Sequence, residues 1–202
     1  MTEIAAKPLR ADARRNRERV LEAARAVFAE HGREAQMDDV ARRAGVGVGT
    51  VYRHFPTKEA LVSALALQLF GQLTVAAREA LEIEDPWEAF TTALWAGANL
   101  LSSDRAFTEI ASETEMPISP QLQDELNGTF ELLVTRAQDA GALRKDLILD
   151  DIPMFMCGIG AATAKPHRCP GAWQRHLAIV IDGLRASSAS GELPTAPSAG
   201  CH

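Results

Sequence analysis

The chain has 202 residues, a formal net charge of −6 and three cysteines. This length suits one small domain with a larger helical one, or a single medium domain. No stretch shows regular strand alternation, so the predicted fold is all-α. No apolar run approaches the roughly 20 residues of a membrane span, and no signal peptide is recognisable, so we expect a cytoplasmic protein.

Charge is divided unevenly along the chain. Residues 1–60 hold 12 Lys and Arg against 9 Asp and Glu, a net charge of +3, and residues 61–202 hold 9 against 18, a net charge of −9. A basic end on an acidic remainder is expected when only that end touches nucleic acid. The alternative is a chance scatter of charge over helix faces.

The N-terminal segment is predicted to contain an arm and one helix. Residues 1–12 are expected to be a disordered arm, which either reaches DNA phosphates or is a floppy terminus. Residues 13–31 are expected to be helical, because they carry a regular apolar stripe that ends at Gly32. The stripe consists of Val20, Leu21, Ala24, Val27 and Phe28.

The stretch from Asp38 to Lys58 has the sequence DDVARRAGVGVGTVYRHFPTK. Its first part has helical apolar spacing and ends at Gly45, where a helix favours a left-handed terminator. A second helix is predicted from Thr50 to Phe55, and Pro56 cannot continue it. Its outward side chains donate hydrogen bonds and include no carboxylate, which suits a polyanion. Two helices joined by a short turn form a helix-turn-helix, whose second helix enters the DNA major groove.

Residues 44–61, AGVGVGTVYRHFPTKEAL, closely resemble the DNA-binding head of the TetR (tetracycline-repressor-like) family of transcriptional regulators. The resemblance is strong over roughly residues 14–62 and depends on architecture beyond them. It implies a DNA-binding domain at 13–60, a helical effector-binding and dimerisation domain at 61–186, and a disordered tail at 187–202.

The resemblance also implies which residues contact DNA. Arg53 is the candidate for reading guanine, and Thr50 for touching a base edge or a thymine methyl. Tyr52, His54 and Lys58 match phosphate-contacting positions, although Tyr52 could instead be a core aromatic. The other candidates are Arg14 and Arg15 at the start of the first helix, Gln36, Gly47, and Gly49, which lets the helix start lie close to DNA.

Two positions depart from the family pattern. Ala35 and Gln36 stand where the family commonly has a Thr or Ser pair, and Gly47 stands where it often has Ser. A missing cap hydroxyl costs about 1 kcal/mol, which Asp38 and Asp39 partly recover in the first turn of the helix. We expect weaker clamping of the DNA backbone but no loss of DNA binding.

The rest of the chain is predicted to form further helices. Thr57 should cap a long helix that reaches about Leu81 and bridges head and body. Others are expected at about 86–103, 120–140, from about 151, and at about 173–184, with a short helix around Phe107 and Ile110. Loops are expected at 116–120 and 165–171.

The middle helices carry most of the aromatic residues of the body, which the resemblance places around an effector pocket. A plain core is the alternative, because aromatics at helical spacing are more often core. The acidic body favours a neutral or cationic ligand. The candidate ligand-binding residues are Trp87, Phe90, Trp95, Asn99, Phe107, Met116, Phe130 and Met154.

The last two helices resemble the dimer interface of the family, a four-helix bundle across a two-fold axis. An intramolecular core is the alternative. A dimer is favoured because it reads two half-sites about 34 Å apart, whereas one helix-turn-helix contacts few base pairs. The candidate interface residues are Phe155, Cys157, Ile159, Ala162, Trp173, Leu177, Val180, Ile181 and Leu184.

No metal or cofactor is predicted, because the cysteines lack metal-ligand spacing, although a metal or redox role for His167, Cys169 and His176 is left open. No nucleophile–base pair or phosphate loop is recognisable, so an enzyme is disfavoured. The sequence therefore predicts a homodimeric repressor of a palindromic DNA operator, released by a small-molecule effector. The alternatives are an effector-independent architectural DNA-binding protein, and a helical carrier or enzyme with a vestigial head.

Overall fold

The computed structural model describes residues 6–103, 119–164 and 171–195. Its described part is helical throughout, with an isolated bridge between Leu143 and Arg185 and no strand, which confirms the all-α prediction. The helices are α1 (Ala6–His31), α2 (Met37–Ala44), α3 (Val48–His54), α4 (Lys58–Leu81), α5 (Pro86–Ser103), α6 (Pro120–Asp139), α7 (Asp151–Ala164) and α8 (Ala172–Leu184). The predicted helix around Phe107 and most of both predicted loops lie outside the described residues.

The first helix begins earlier than predicted. Residues 6–12, which we expected to belong to a disordered arm, form the first two turns of α1. Pro8 is compatible with this position, because the first N–H groups of a helix have no partner within the helix. Alanine and arginine, which follow it, are strong helix formers.

Local chain chemistry sets the ends of the head helices. Gly45 has φ +63°, in the left-handed region, and its N–H bonds to the Arg42 carbonyl at 3.3 Å as α2 ends. Gly47 is the extended N-cap of α3, so this helix begins at Val48, two residues earlier than predicted. Thr57 Oγ1 accepts a hydrogen bond from the Ala60 N–H at 3.1 Å and starts α4, as predicted.

Two hydrophobic cores are formed, one in the head and one in the body. The head core joins α1, α2, α3 and the start of α4, and the body core joins the end of α4 with α5 to α8. Leu61 and Leu65 lie in the head core, whereas Ala77 and Ala80 lie in the body core. Among the described helices, α4 alone therefore has buried residues in both cores.

The C-terminal end of α4 is held by α6. Arg136 donates hydrogen bonds to the carbonyl of Leu81 at 2.7 Å and to that of Ile83 at 3.0 Å. Arg78 of α4 pairs with Glu125 of α6 at 2.7 Å. A guanidinium satisfies carbonyls that have no partner within the helix, so these contacts fix the body end of α4.

One helix meets the length and composition criteria for a membrane span, which the sequence analysis found nowhere in the chain. By length and composition alone, α4 is long and apolar enough to cross a membrane, with a mean hydropathy of 1.7 over its most apolar window. The sequence analysis missed it because Gln68, Gln72 and Thr74 interrupt the apolar run without lowering the mean much. In this fold α4 packs against α1, α5 and α6, which is how the core helix of a folded domain behaves.

The C-terminal segment is more ordered than predicted. Residues 187–195 were expected to belong to a disordered tail, but the chain forms a 3-10 turn at Ala186–Ser188 and continues along the body. Arg144 donates a hydrogen bond to the Gly191 carbonyl at 2.9 Å, and Asp146 accepts one from the Leu193 N–H at 2.7 Å. These partners lie more than forty residues away, so local composition does not reveal them.

Candidate functional site

The candidate DNA-recognition surface of the head is the outer face of α3. Val51 and Phe55 are buried in the head core and fix the helix. On the opposite side the exposed residues are Val48, Gly49, Tyr52 and Arg53, in two rows with a spacing of four. Side chains four apart lie on the same face of a helix, so these residues form one continuous surface.

Tyr52 and Arg53 are available to a partner. The Tyr52 side chain is 47% exposed, so the alternative that it is a core aromatic is wrong. Within the described part of the chain, neither side chain has a hydrogen bond or an ion pair. A phenol and a guanidinium held outward in this way are suitable donors for phosphate oxygens and base edges.

The remaining predicted residues of this region surround that surface. Thr50, His54 and Lys58 are half-buried. The His54 ring lies 6.4 Å from that of Phe55, and the Lys58 ammonium lies 5.5 Å above the Phe28 ring. The head core thus positions His54 and Lys58, in the case of Lys58 through its ammonium group.

Gln36 and Gly47 lie where the two motif helices begin. Gln36 is the N-cap of α2, but its side chain makes no capping bond and donates instead to the Glu34 carbonyl at 2.9 Å. Gly47 is the exposed N-cap of α3, also without a side-chain bond. The structure therefore confirms that both helices lack the capping hydroxyl that is common in the family.

Four arginines in the middle of α1 form two groups, Arg14 with Arg15 and Arg17 with Arg19. Arg14 and Arg15 are exposed and pair with Glu18 and Asp12 of the same helix. Such surface pairs contribute little to stability.

The other group of arginines positions the motif. The Arg17 guanidinium lies 5.2 Å from the centre of the Phe55 ring, and Arg19 donates to the Ala44 carbonyl at 2.6 Å. A Cβ at Gly45 would lie 3.0 Å from the Arg19 guanidinium. The sequence analysis named Arg14 and Arg15 as DNA contacts but missed this supporting role of Arg17 and Arg19.

The predicted effector residues do not meet in one cavity within the described part of the chain. Phe90 and Phe130 are buried in the body core. Trp87 packs 6.2 Å from Phe90 and lies beneath the Arg185 guanidinium, 4.3 Å from its ring centre. For these residues the core alternative describes the structure better, because each packs against side chains of its own chain.

The other effector candidates are dispersed. Trp95 of α5 faces Trp173 of α8 at 6.0 Å, and Met154 is 74% exposed on α7. Phe107 and Met116 lie outside the described residues. Asn99 lines an open cleft of about 460 Å³ between α4 and α5. The cleft is lined by Gly71, Gln72, Val75, Ala76, Glu79, Ala96, Asn99 and Leu100.

Four of the predicted dimer-interface residues of α7 and α8 do not lie on an exposed face. Ile159, Leu177, Ile181 and Leu184 are buried in the core of their own chain. The intramolecular-core alternative therefore describes these four residues in the single chain, and their role in the dimer interface stays a prediction.

The exposed face of the two helices contains four of the predicted interface residues, together with Met154, a predicted effector residue, and Ile179, which the sequence analysis did not name. Phe155, Trp173 and Val180 are half-buried at its edge, and Cys157 is exposed. Met154 and Ile179 are the large apolar residues most exposed on this face. The side chain of Ala162 lies outside the described part of the structure.

Metal-binding geometry is absent from the part of the chain that the structure describes, where no cluster of three His, Cys, Asp or Glu could hold an ion. Cys157 is an exposed thiol there, and His176 lies on α8. His167 and Cys169 fall outside the described residues, so the alternative of a metal or redox site keeps its status as a prediction.

Comparison with known protein families identifies the chain. The model "Bacterial regulatory proteins, tetR family" matches residues 20–65, and the model "Transcriptional regulator SbtR-like, C-terminal domain" matches residues 85–186, which is half of the chain. The chain belongs to the TetR family of transcriptional regulators. It is therefore a regulator with a helix-turn-helix DNA-binding head, and dimerisation and ligand response are typical of this family.

Individual relatives are described as HTH-type transcriptional regulators. UidR of Escherichia coli strain K12 is 39% identical over 61 residues, and TtgW of Pseudomonas putida is 36% identical over 85 residues. These matches cover 30% and 42% of this chain. The chain spans about a third of the length of UidR (31%) and 63% of TtgW.

Solved TetR-family structures match over most of their length. The regulator SCO0520 of Streptomyces coelicolor has a TM-score of 0.61 at 29% identity, with 89% of this chain and 99% of that chain covered. A TetR regulator of Mycobacterium vanbaalenii has a TM-score of 0.58 at 36% identity, with 88% and 99% covered. The relatives are transcriptional regulators.

Proposed function

We propose that this TetR-family regulator is a homodimeric repressor that a small-molecule effector releases from a near-palindromic operator. The observation that best supports the proposal is the placement of α4. Leu61 and Leu65 belong to the head core, and Ala77 and Ala80 belong to the body core. A displacement of α4 within the body therefore moves the head with it.

In this proposal the outer face of α3 lies in the major groove. Arg53 donates to guanine, while Tyr52, His54 and Lys58 hold phosphates and Thr50 touches a base edge. Gly47 and Gly49 allow close approach because they have no side chain. A Cβ at either would meet no atom of the protein within 4 Å, so packing within the head does not require glycine there. Arg14, Arg15 and Gln36 contact the backbone beside the groove.

The dimer forms through the exposed face of α7 and α8. Met154, Cys157 and Ile179 provide the apolar centre of this face, and half-buried Phe155, Trp173 and Val180 border it. An interface on a two-fold axis uses the same patch on both copies, so one apolar face is sufficient. The two heads then bind half-sites about 34 Å apart.

The effector is bound in the body beside α4 and needs to supply hydrogen-bond donors. The Gln68 side-chain oxygen is buried on α4 without a hydrogen-bond partner in the described part of the chain. One turn further on, Gly71 and Gln72 line the cleft that Glu79 and Asn99 also border. An amide oxygen and a carboxylate favour a neutral or cationic molecule with N–H or O–H groups.

The energy needed for release is small. An effector that prefers the released state by about 1.4 kcal/mol shifts operator occupancy tenfold. One hydrogen bond to a buried unsatisfied oxygen contributes an amount of this order, since leaving such a group unpaired costs about 1–3 kcal/mol. We propose a cytoplasmic protein without a cofactor or enzymatic activity, in keeping with relatives that regulate transcription.

Selection of bound fragments from random or genomic DNA tests the proposal. Recovery of one palindromic site, with its specificity relaxed in Arg53→Ala, would support it. Lys145→Ala is the control, because it removes a positive charge from an exposed body loop without touching the head. Weak, sequence-blind binding that disappears with salt would contradict the proposal.

A further inference from the structure

We infer that Val48 reads the methyl group of a thymine in each half of the operator. The inference rests on the proposed function, because it names the base feature that the same surface recognises. Val48 is the first residue of α3, and its side chain is 43% exposed. No role was assigned to it from the sequence, although the pattern Gly47-Val48-Gly49 isolates one apolar side chain at the start of the helix.

The fold itself does not require an apolar residue at this position. Val46 and Val51 of the same motif pack against the head core, whereas Val48 points away from it. A β-branched residue also loses side-chain freedom in a helix and is a weak helix former. Neither packing nor helix formation therefore accounts for valine here.

The position of Val48 on the helix places it among the DNA-contacting residues. Val48 and Tyr52 are four residues apart, as are Gly49 and Arg53, so the two rows lie side by side. Within the described part of the head, Val48 and Tyr52 are the exposed large hydrophobic residues, and both belong to α3. Any groove that admits Tyr52 and Arg53 thus also receives Val48.

The chemistry of the major groove specifies what Val48 can recognise. Base edges there present hydrogen-bond donors and acceptors, and thymine adds an apolar methyl group. Valine has no side-chain donor or acceptor, so it gains contact with the methyl and leaves a polar edge without a partner. Thr50, for which we predicted a base-edge or thymine contact, is half-buried, so Val48 is the more accessible side chain.

The spacing along α3 predicts where the thymine lies. Val48 and Arg53 are five residues apart, about 7.5 Å along a helix axis. This length corresponds to about two base-pair steps of 3.4 Å. The thymine is therefore expected within about two to three base pairs of the guanine that Arg53 reads.

Uracil substitution in the selected operator isolates the methyl group, because uracil differs from thymine in that group alone. Each thymine is replaced in turn, and the dissociation constant of the full-length protein is measured by fluorescence anisotropy. Uracil at one symmetric pair of positions should weaken wild-type binding. Burial of one methyl contributes about 0.8 kcal/mol, so the expected loss is about fourfold for each half-site and about fifteenfold for both together.

Val48→Ala should bind the thymine and uracil operators with nearly equal affinity, because the methyl has lost its contact. Leu132→Ala, which truncates an exposed apolar side chain on α6, should keep the full uracil effect. The salt dependence of binding should be unchanged in Val48→Ala, since an apolar contact releases no counterions. Circular dichroism and melting temperature establish that the variants are folded.

Three results would overturn the inference. Wild-type affinity that changes less than twofold at every uracil position would show that no methyl is read. A uracil effect that persists in Val48→Ala would assign the methyl contact to another residue. Failure to select any specific operator would refute the proposed function and this inference with it, whereas the first two results leave the proposed function intact.

Discussion

The head and the body leave different side chains on their surfaces. In the described head, the exposed large hydrophobic residues are Val48 and Tyr52, on one helix of seven residues. In the described body they are spread over several elements and include Val75, Leu132 and Ile179. The exposed apolar side chains of the described head are therefore confined to one short helix, whereas those of the body are distributed over a larger area.

The two regions are held together in the same way, by a buried apolar core and by arginines that bridge helices. Arg19 donates to the Ala44 carbonyl in the head, and Arg136 donates to the Leu81 carbonyl in the body. Phe28 of the head core and Phe90 of the body core are both fully buried. The difference between the regions therefore lies in their exposed surfaces. Substitutions on the recognition face should thus change DNA affinity, whereas substitutions in the body core should change stability.

The largest effect is expected for Phe90→Ala. Phe90 is fully buried in the body core, so its truncation should lower the free energy of unfolding by about 3–5 kcal/mol. Urea denaturation measures this loss. Leu132→Ala on exposed α6 is the control and should change stability by less than about 0.5 kcal/mol. A nearly unchanged unfolding energy with altered effector response would mean that Phe90 lines a pocket after all.

A second large effect is expected for Ile179→Asp. Ile179 is 62% exposed, so the monomer should stay folded, but each copy would place a carboxylate in the proposed dimer interface. We expect dimerisation to weaken by about 2 kcal/mol or more, which is at least thirtyfold. Sedimentation velocity at several concentrations measures this, with Ile148→Asp on an exposed loop as the control. An undisturbed dimer would place the interface elsewhere.

The sequence predicted the head well because its signals are local. The left-handed Gly45, the stop at Pro56 and the cap at Thr57 each act within a few residues, and the structure confirms them. The same short motif pointed to Tyr52 and Arg53, which the structure exposes. Val48 was overlooked because exposure of an apolar side chain depends on how α3 rests on α1 and α2.

The body was predicted less completely because its determinants are distant in sequence. Helical spacing correctly located α4 to α8, but it does not distinguish a core face from a pocket or from an interface. Phe90 and Ile159 lie in the core of their own chain, and their roles in effector binding and in the dimer interface stay predictions. The segment after residue 187 is held by Arg144 and Asp146, which no local pattern connects to it.

An intermediate effect is expected for the two helix caps. Thr57→Ala removes the bond to the Ala60 N–H at the head end of α4, and Ser119→Ala removes the bond to the Leu122 N–H at the start of α6. Each should cost about 1 kcal/mol in urea denaturation.

DNA binding separates the two caps. Thr57→Ala should also weaken DNA binding, because the cap fixes the helix turn that carries Lys58, whereas Ser119→Ala should not. Thr57→Ser, which keeps a hydroxyl, should restore both properties. Equal effects of both alanine variants on DNA affinity would contradict the separate roles of head and body.

The smallest effect concerns pH and compares one carboxylate in each region. Hydrogen bonds from Arg144 and then the Leu193 N–H hold the pKa of Asp146 well below its usual range, and a hydrogen bond from Arg43 lowers the pKa of Glu30. A carboxyl group with a lowered pKa in the folded state stabilises the protein above its ordinary pKa. That contribution is lost as pH falls below about 4, where the unfolded chain takes up the proton first.

The body pair should be the more sensitive of the two. The Arg144 side chain is 10% exposed, whereas that of Arg43 is 40% exposed, so solvent screens the head pair more strongly. Urea midpoints measured from pH 7 to pH 3 should fall less steeply in Asp146→Asn than in the wild type, and Glu30→Gln should follow the wild type closely. The opposite order would show that the acid response comes from the head. In that case the Arg144–Asp146 contact, with the C-terminal segment bound to it, would add little to the body.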